Sequence, residues 1–187
     1  MYEPLTQSVR RLIDAAVRTE TDSGTVVQAQ ALIDEATRLL SRRLVPGSFG
    51  IRRTAAGRIM TWGNVAVGLR NPVAPPLVIE REPDGSVWCE AELGAAYEGP
   101  PGCVHGGISA LILDQLLGSA AYRPGQPAWT ATLTVRYLRP MSLGRLRAEA
   151  RVDRHEGVKT FASAHLADAE GMTVAAEGVL IRPREPT

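Results

Sequence analysis

Gly99-Pro100-Pro101-Gly102-Cys103-Val104-His105-Gly106-Gly107, running on through Ile108-Ser109-Ala110-Leu111-Ile112-Leu113-Asp114-Gln115-Leu116-Leu117-Gly118-Ser119-Ala120-Ala121-Tyr122, is the stretch that decides the fold. From Ile108 to Ala121 the polar side chains are Ser109, Asp114, Gln115 and Ser119. That pattern predicts a helix that is apolar nearly all round and mostly buried. Gly106 and Gly107 strip the side chains from its start, where free backbone N–H groups point outward and attract an oxygen that carries negative charge. The same glycines also suit close packing of helix against sheet. Asp114 is the exception in the apolar run. A carboxylate there is costly unless partnered or protonated, and perturbed carboxylates cluster at functional sites, so a catalytic reading is favoured over a structural one. Asp114 follows His105 by nine residues, about 13 Å along a helix axis and on the opposite face. If the two serve one site, the carboxylate comes from a second copy of the chain.

Outward from this helix, the spacing changes character twice. Residues 5–20 carry Val9, Leu12, Ile13, Ala16 and Val17 at helical intervals, and a second helix is predicted with Val27, Ala31, Leu32, Ala36, Leu39 and Leu40 on one side, ending near Arg42-Arg43. Thr21-Asp22-Ser23-Gly24 separates them and supplies an N-cap. Both helices need a surface to cover and are read as an arm packed on the main domain or on a neighbouring subunit. Residues 44–76 are irregular, and Asn71-Pro72-Val73-Ala74-Pro75-Pro76 reads as a stiff linker. The apolar run Met60-Thr61-Trp62-Gly63-Asn64 is assigned to packing rather than to a pocket. Strands are expected over 77–82 and 86–93, either side of an Asp84-Gly85 turn, and over 129–138, 145–154, 158–166 and 172–181. Gly144, Glu156-Gly157 and Glu170-Gly171 mark the later turns. The tail from Arg182 to Thr187 is expected to fray. The order is α+β: an N-terminal helical extension and linker over 1–70, then two strands, one buried helix and four strands over 71–187.

Composition narrows the function classes. The chain has 187 residues with 21 Lys+Arg against 20 Asp+Glu, so no general attraction to nucleic acid or anionic membrane is implied. Lys159 is the one lysine; the other cations are arginines. Cys89 and Cys103 lack CxxC spacing and read as free thiols of a reducing compartment. No apolar run reaches membrane-spanning length and no signal sequence opens the chain, so a cytoplasmic protein is expected. There is no Gly-x-Ser-x-Gly elbow, no Gly-x-Gly-x-x-Gly or P-loop, and no zinc spacing among His105, His155, His165 and the two cysteines.

Two flanking segments, Tyr97-Glu98-Gly99-Pro100-Pro101-Gly102-Cys103-Val104-His105-Gly106-Gly107 and Thr130-Ala131-Thr132-Leu133-Thr134-Val135-Arg136-Tyr137-Leu138-Arg139-Pro140, join the nine-residue spacing from His105 to Asp114. Together they resemble the hotdog-fold acyl-CoA thioesterases of the PaaI/THEM4-like family, over about residues 71–183. The resemblance implies a hotdog fold, a curved antiparallel sheet wrapped around a central helix. It implies hydrolysis of an acyl thioester to the free acid and coenzyme A, without metal or redox cofactor, coenzyme A entering only as part of the substrate. A homodimer or dimer of dimers follows as the expected assembly. By the same resemblance the N–H of Gly107, with Gly106 or His105, would face the thioester carbonyl. Asp114 of the other subunit would act as general base or nucleophile, and Thr130 would hold the water. His105 would position the carbonyl or the loop; read alone, it is equally a helix cap. Thr130, read alone, is an ordinary strand former. Among the arginines, Arg139 within Tyr-x-Arg-Pro is the preferred ligand for the substrate phosphates. One departure stands out: several relatives place Asn or Gln shortly before His-Gly-Gly, and this chain has Glu98-Gly99-Pro100. The rival readings are a non-catalytic hotdog protein that binds acyl-CoA as sensor or scaffold, and a hotdog dehydratase or hydratase, whose catalytic His beside an acid is missing here.

Overall fold

Leucines on one helix facing alanines on a sheet set the layering of this chain. The computed structural model describes residues 2–53, 59–123, 126 and 128–182; the tail beyond Arg182, expected to fray, lies outside them. In chain order the elements are α1 (Tyr2–Arg18), α2 (Ser23–Leu40), β1 (Arg52–Arg53), β2 (Ile59–Met60), β3 (Glu80–Arg81), β4 (Val87–Leu93), α3 (Gly106–Ala121), β5 (Trp129–Tyr137), β6 (Gly144–Glu156), β7 (Lys159–Asp168) and β8 (Gly171–Ile181). The chain divides into two compact units, Met1–Asn64 with Gly68–Pro72, and Val65–Val67 with Val73–Thr187.

In the second unit, β3-β4-β6-β7-β8-β5 form one sheet in that spatial order, every pair antiparallel. Period-two alternation sends Val87, Cys89, Ala91 and Leu93 of β4 inward and turns Trp88, Glu90 and Glu92 away. The inward positions of the middle strands are small: Ala148 and Ala150 on β6, Ala162 and Ala164 on β7, Ala176 on β8. Small residues there let α3 approach closely, and Ile112, Leu113, Leu116 and Leu117 fill the space with no exposed surface. At Gly178 the fit is tight enough that a Cβ would lie 3.0 Å from Leu117 Cδ1. This is the hotdog arrangement that the resemblance implies.

Three expectations change in detail. The first strand is shorter than the 77–82 run, since pairing with β4 covers only Glu80 and Arg81. The region 44–76 is not wholly irregular, because β1 and β2 pair there. And α3 is not buried all round. Its own sheet covers one side, leaving Ala110, Leu111, Asp114, Gln115 and Gly118 half-buried. β5 lies at the end of the sheet, paired with β8 alone, and most of its residues are exposed.

In the first unit, Asp22 caps α2, its carboxylate accepting the N–H and the hydroxyl of Thr25 at 3.0 and 2.7 Å. Trp62 packs against Phe49 and Tyr2 with ring centroids 6.1 and 6.3 Å apart, and the Arg70 guanidinium sits 3.7 Å from the Tyr2 ring centroid. The Met60–Asn64 run therefore serves packing.

The alanine-lined sheet leads to a direct expectation. Ala148→Leu adds three carbons where there is no room, and should lower the unfolding free energy by about 1–3 kcal/mol in urea titration, with the slope of the transition unchanged.

Candidate active site

At the start of α3 a single peptide group is held from both sides. His105 is the N-cap, with φ −61° and ψ 133°, and its Nδ1 accepts the Gly107 N–H at 2.9 Å. The Tyr137 hydroxyl donates to the Gly106 carbonyl at 2.9 Å. That carbonyl and the Gly107 N–H belong to one planar unit, so the two bonds together fix its orientation. The glycines fit closely: a Cβ on Gly106 would lie 3.2 Å from the Tyr137 ring, and one on Gly107 would lie 3.1 Å from His105 Nδ1, so either side chain would have to give way by a few tenths of an ångström. Because Nδ1 accepts, the neutral imidazole carries its proton on Nε2, on a ring that is exposed.

The loop before the helix is closed as firmly. His105 N–H donates to the Tyr97 carbonyl at 2.9 Å, Val104 N–H to Met141 at 2.8 Å, and Gly99 N–H to Cys103 at 2.9 Å. Glu98, the departure noted in the sequence, turns its carboxylate onto the Gly102 N–H at 2.7 Å. Gly102 takes φ 73°, which favours glycine. Gly99 is needed for a different reason: its Cβ would stand 2.7 Å from the His105 Cα.

This geometry redistributes the expected donors. The N–H of Gly107 is taken by the His105 cap in this structure. The N–H of Gly106, first in the helix, meets no acceptor among the described residues and lies at the positive end of the helix dipole. Asp114, two turns along, accepts the Thr130 hydroxyl on Oδ1 at 2.8 Å. Thr130 thus bonds the carboxylate itself, tying α3 to the edge strand within one chain. Asp114 Oδ2 has no hydrogen-bond partner among the described residues. One turn further, on the same flank of the helix, Gly118 borders a groove of about 330 Å³ whose other walls include Ile79, Val87, Gln115, Ser119 and Tyr122. A Cβ on Gly118 would meet nothing within 4 Å.

Arg139 sits elsewhere. Its guanidinium forms a two-pronged ion pair with Asp168, with 3.0 Å for the Nη1–Oδ2 arm, and also donates to the Gly171 carbonyl at 2.8 Å. These bonds staple the β7–β8 turn to the end of β5, and they hold the Asp168 carboxyl below the ordinary aspartate range. Further arginines are also matched with acids: Arg136 with Glu177, Arg145 with Glu90, Arg147 with Glu149 and Glu90, and Arg151 with Asp153. They form a charge ladder on the sheet face turned away from α3. The Cys89 thiol is buried and pushed up to about 11 by desolvation, which makes it a poor nucleophile. Among the described residues no group of three or more His, Cys, Asp or Glu could hold a metal ion, and no helix is long and apolar enough to cross a membrane.

Tyr137 and Gly99 are the residues that sequence reasoning did not single out. Tyr137 was legible only as the first letter of Tyr-x-Arg-Pro, and Gly99 only as one of several glycines in a turn.

The sequence pattern of the thioesterase superfamily matches residues 101–175. A crystal structure of a thioesterase superfamily protein superimposes with a TM-score of 0.85 at 31% identity, over 97% of this chain and 95% of the other. Acyl-coenzyme A thioesterase THEM4 of Xenopus laevis is 37% identical over 79 residues, 42% of this chain and 36% of its own length. Acyl-coenzyme A thioesterase THEM5 of Homo sapiens is 28% identical over 97 residues, 50% of this chain and 39% of its own length. The chain therefore spans well under half the length of these two curated relatives.

Two variants test the geometry. Gly99→Ala forces the backbone at His105 to move and should cost about 1–3 kcal/mol of stability, with a displaced His105 side-chain nitrogen signal in NMR. Arg139→Ala removes charged hydrogen bonds from a buried carboxylate and should lower the melting temperature at neutral pH. Asp168 has a depressed folded pKa, so the pair's contribution is fully present above the unfolded aspartate value of about 4 and is lost as pH falls through the folded value. The stability gap between wild type and Arg139→Ala, followed by thermal unfolding, should therefore close in acid.

Proposed function

The chain belongs to the thioesterase superfamily, and from that premise we propose that it hydrolyses an acyl-coenzyme A thioester to the free acid and coenzyme A. The observation that carries this reading is the presence on one helix of a bare start, Gly106, and a half-buried carboxylate, Asp114, the N–H of the first and the Oδ2 of the second having no partner among the described residues. Water would lose a proton to Asp114 as its oxygen adds to the thioester carbon. The carbonyl oxygen, now an oxyanion, would rest on the Gly106 N–H, with the His105 Nε2–H beside it. Collapse would break the C–S bond, and the proton held by Asp114 would pass to the departing thiolate. One such oxyanion donor typically contributes about 3–4 kcal/mol to lowering the barrier. Asp114 acting directly as nucleophile uses the same geometry, with an anhydride hydrolysed in a second step.

Helix geometry supports an assembly of at least two copies. Gly106 and Asp114 of one chain lie eight residues apart on α3, about 12 Å along its axis, whereas the reacting atoms must lie about 3 Å from both donor and base. The base beside a given Gly106 would therefore be Asp114 of a second copy. The half-buried flank of α3 and the open edge of β5 are surfaces suited to that contact. The groove next to Gly118 is the proposed berth for the acyl group, one helical turn from the carboxylate. Phosphate binding by Arg139 would require it to release Asp168, so the arginine is assigned to the scaffold.

Thiol release from a panel of short, long and aromatic acyl-CoA esters is the test. Asp114→Asn should lower kcat by about 10²–10⁴ while acyl-CoA still binds. Binding without turnover in wild type and variant alike would replace the hydrolase with an acyl-CoA sensor. Equal turnover in both would remove Asp114 from the chemistry.

A further inference from the structure

The two N-terminal helices carry apolar stripes that the described residues leave largely uncovered, Val9 alone being half-buried. On α1 the stripe is Leu5, Val9, Leu12 and Ala16; on α2 it is Val26, Ala29, Ile33, Ala36 and Leu40. Both follow alternating steps of three and four residues, the spacing of a helix–helix seam. Yet α2 has no buried residue, and Leu5, Leu12 and Ala16 of α1 are exposed. What α1 does bury is the polar Thr6, on a neighbouring flank.

The stripes fit each other. Laid antiparallel, as the four-residue link Thr19–Asp22 would allow, they form layers of Leu5 with Ala36, Val9 with Ile33, Leu12 with Ala29, and Ala16 with Val26. Three of the four layers set a large side chain against a small one, as interdigitated packing requires. The positions bordering the seam carry no charge: Thr6, Ser8, Ile13 and Ala15 on α1, and Gln30, Leu32, Thr37 and Leu39 on α2. The helices are also opposite in net charge. α1 has three arginines against two acids, and α2 has two acids against one arginine. The two helices are not packed as that hairpin in this chain: every residue of α2 is exposed, Val26, Ile33 and Leu40 of the stripe included.

We propose that α1 of one copy packs antiparallel against α2 of a second copy, so that the arm is an exchanged helical hairpin joining two chains. The occupant of each stripe is the complementary stripe of an identical chain.

The test is a disulfide across the seam in the full chain, with Cys103→Ser leaving only the buried Cys89 of the native thiols. One chain carries Leu12→Cys and the other, differently tagged, carries Ala29→Cys; the two are co-expressed and oxidised. The expected result is a covalent dimer holding one of each tag, with Val9→Cys and Ile33→Cys giving the same product. A chain carrying both Leu12→Cys and Ala29→Cys that closes an internal disulfide as a monomer would overturn the exchange in favour of an ordinary hairpin. Absence of a bond in both pairs, with wild-type helix content by circular dichroism, would also overturn it.

Discussion

The close approach of α3 to an alanine-lined sheet is the constraint on which the rest of this structure depends. Leu113, Leu116 and Leu117 occupy the depth that Ala148, Ala164, Ala176 and Gly178 leave open. Close packing of this kind fixes a helix in translation and rotation, because neither the leucines nor the alanines can be exchanged for neighbours of another size without a void or a clash. With the helix fixed, its two chemically distinctive points are fixed too: the bare start at Gly106 and the carboxylate at Asp114. The site inherits its rigidity from the core.

The second level of order lies in hydrogen bonds to that helix from distant parts of the chain. Tyr137 reaches back 31 residues to the Gly106 carbonyl, and Thr130 reaches back 16 to Asp114. Both come from β5, so one edge strand touches the start and the middle of α3. Arg139, just past the end of β5, is anchored by Asp168 and Gly171 at the β7–β8 turn. Strand, helix and turn thus brace one another around the place where the thioester is proposed to react.

Much of this was legible in the sequence because it is local. The limits of α3 follow from the glycine pair and the apolar run, and the later strands follow from alternation and glycine turns. The place of Asp114 on α3, two turns past the bare start, was legible from its spacing to His105. What escaped is set by partners distant in sequence. Nothing near Gly106 says that the Tyr137 hydroxyl, 31 residues later, will bond its carbonyl. Nothing near Arg139 says that an acid 29 residues later will claim it. The burial of α3 was overestimated for a related reason: composition reports how apolar a helix is, but not how much of the cover comes from its own chain.

The charge ladder on the outer sheet face has a consequence in plain reactivity. Its cations are arginines, and across all 187 residues only Lys159 carries a side-chain primary amine. Thioesters acylate amines spontaneously, whereas a guanidinium remains protonated and inert at neutral pH. A surface built from arginine therefore keeps its charge pattern intact in the presence of activated acyl groups, where a lysine-rich one would be progressively neutralised.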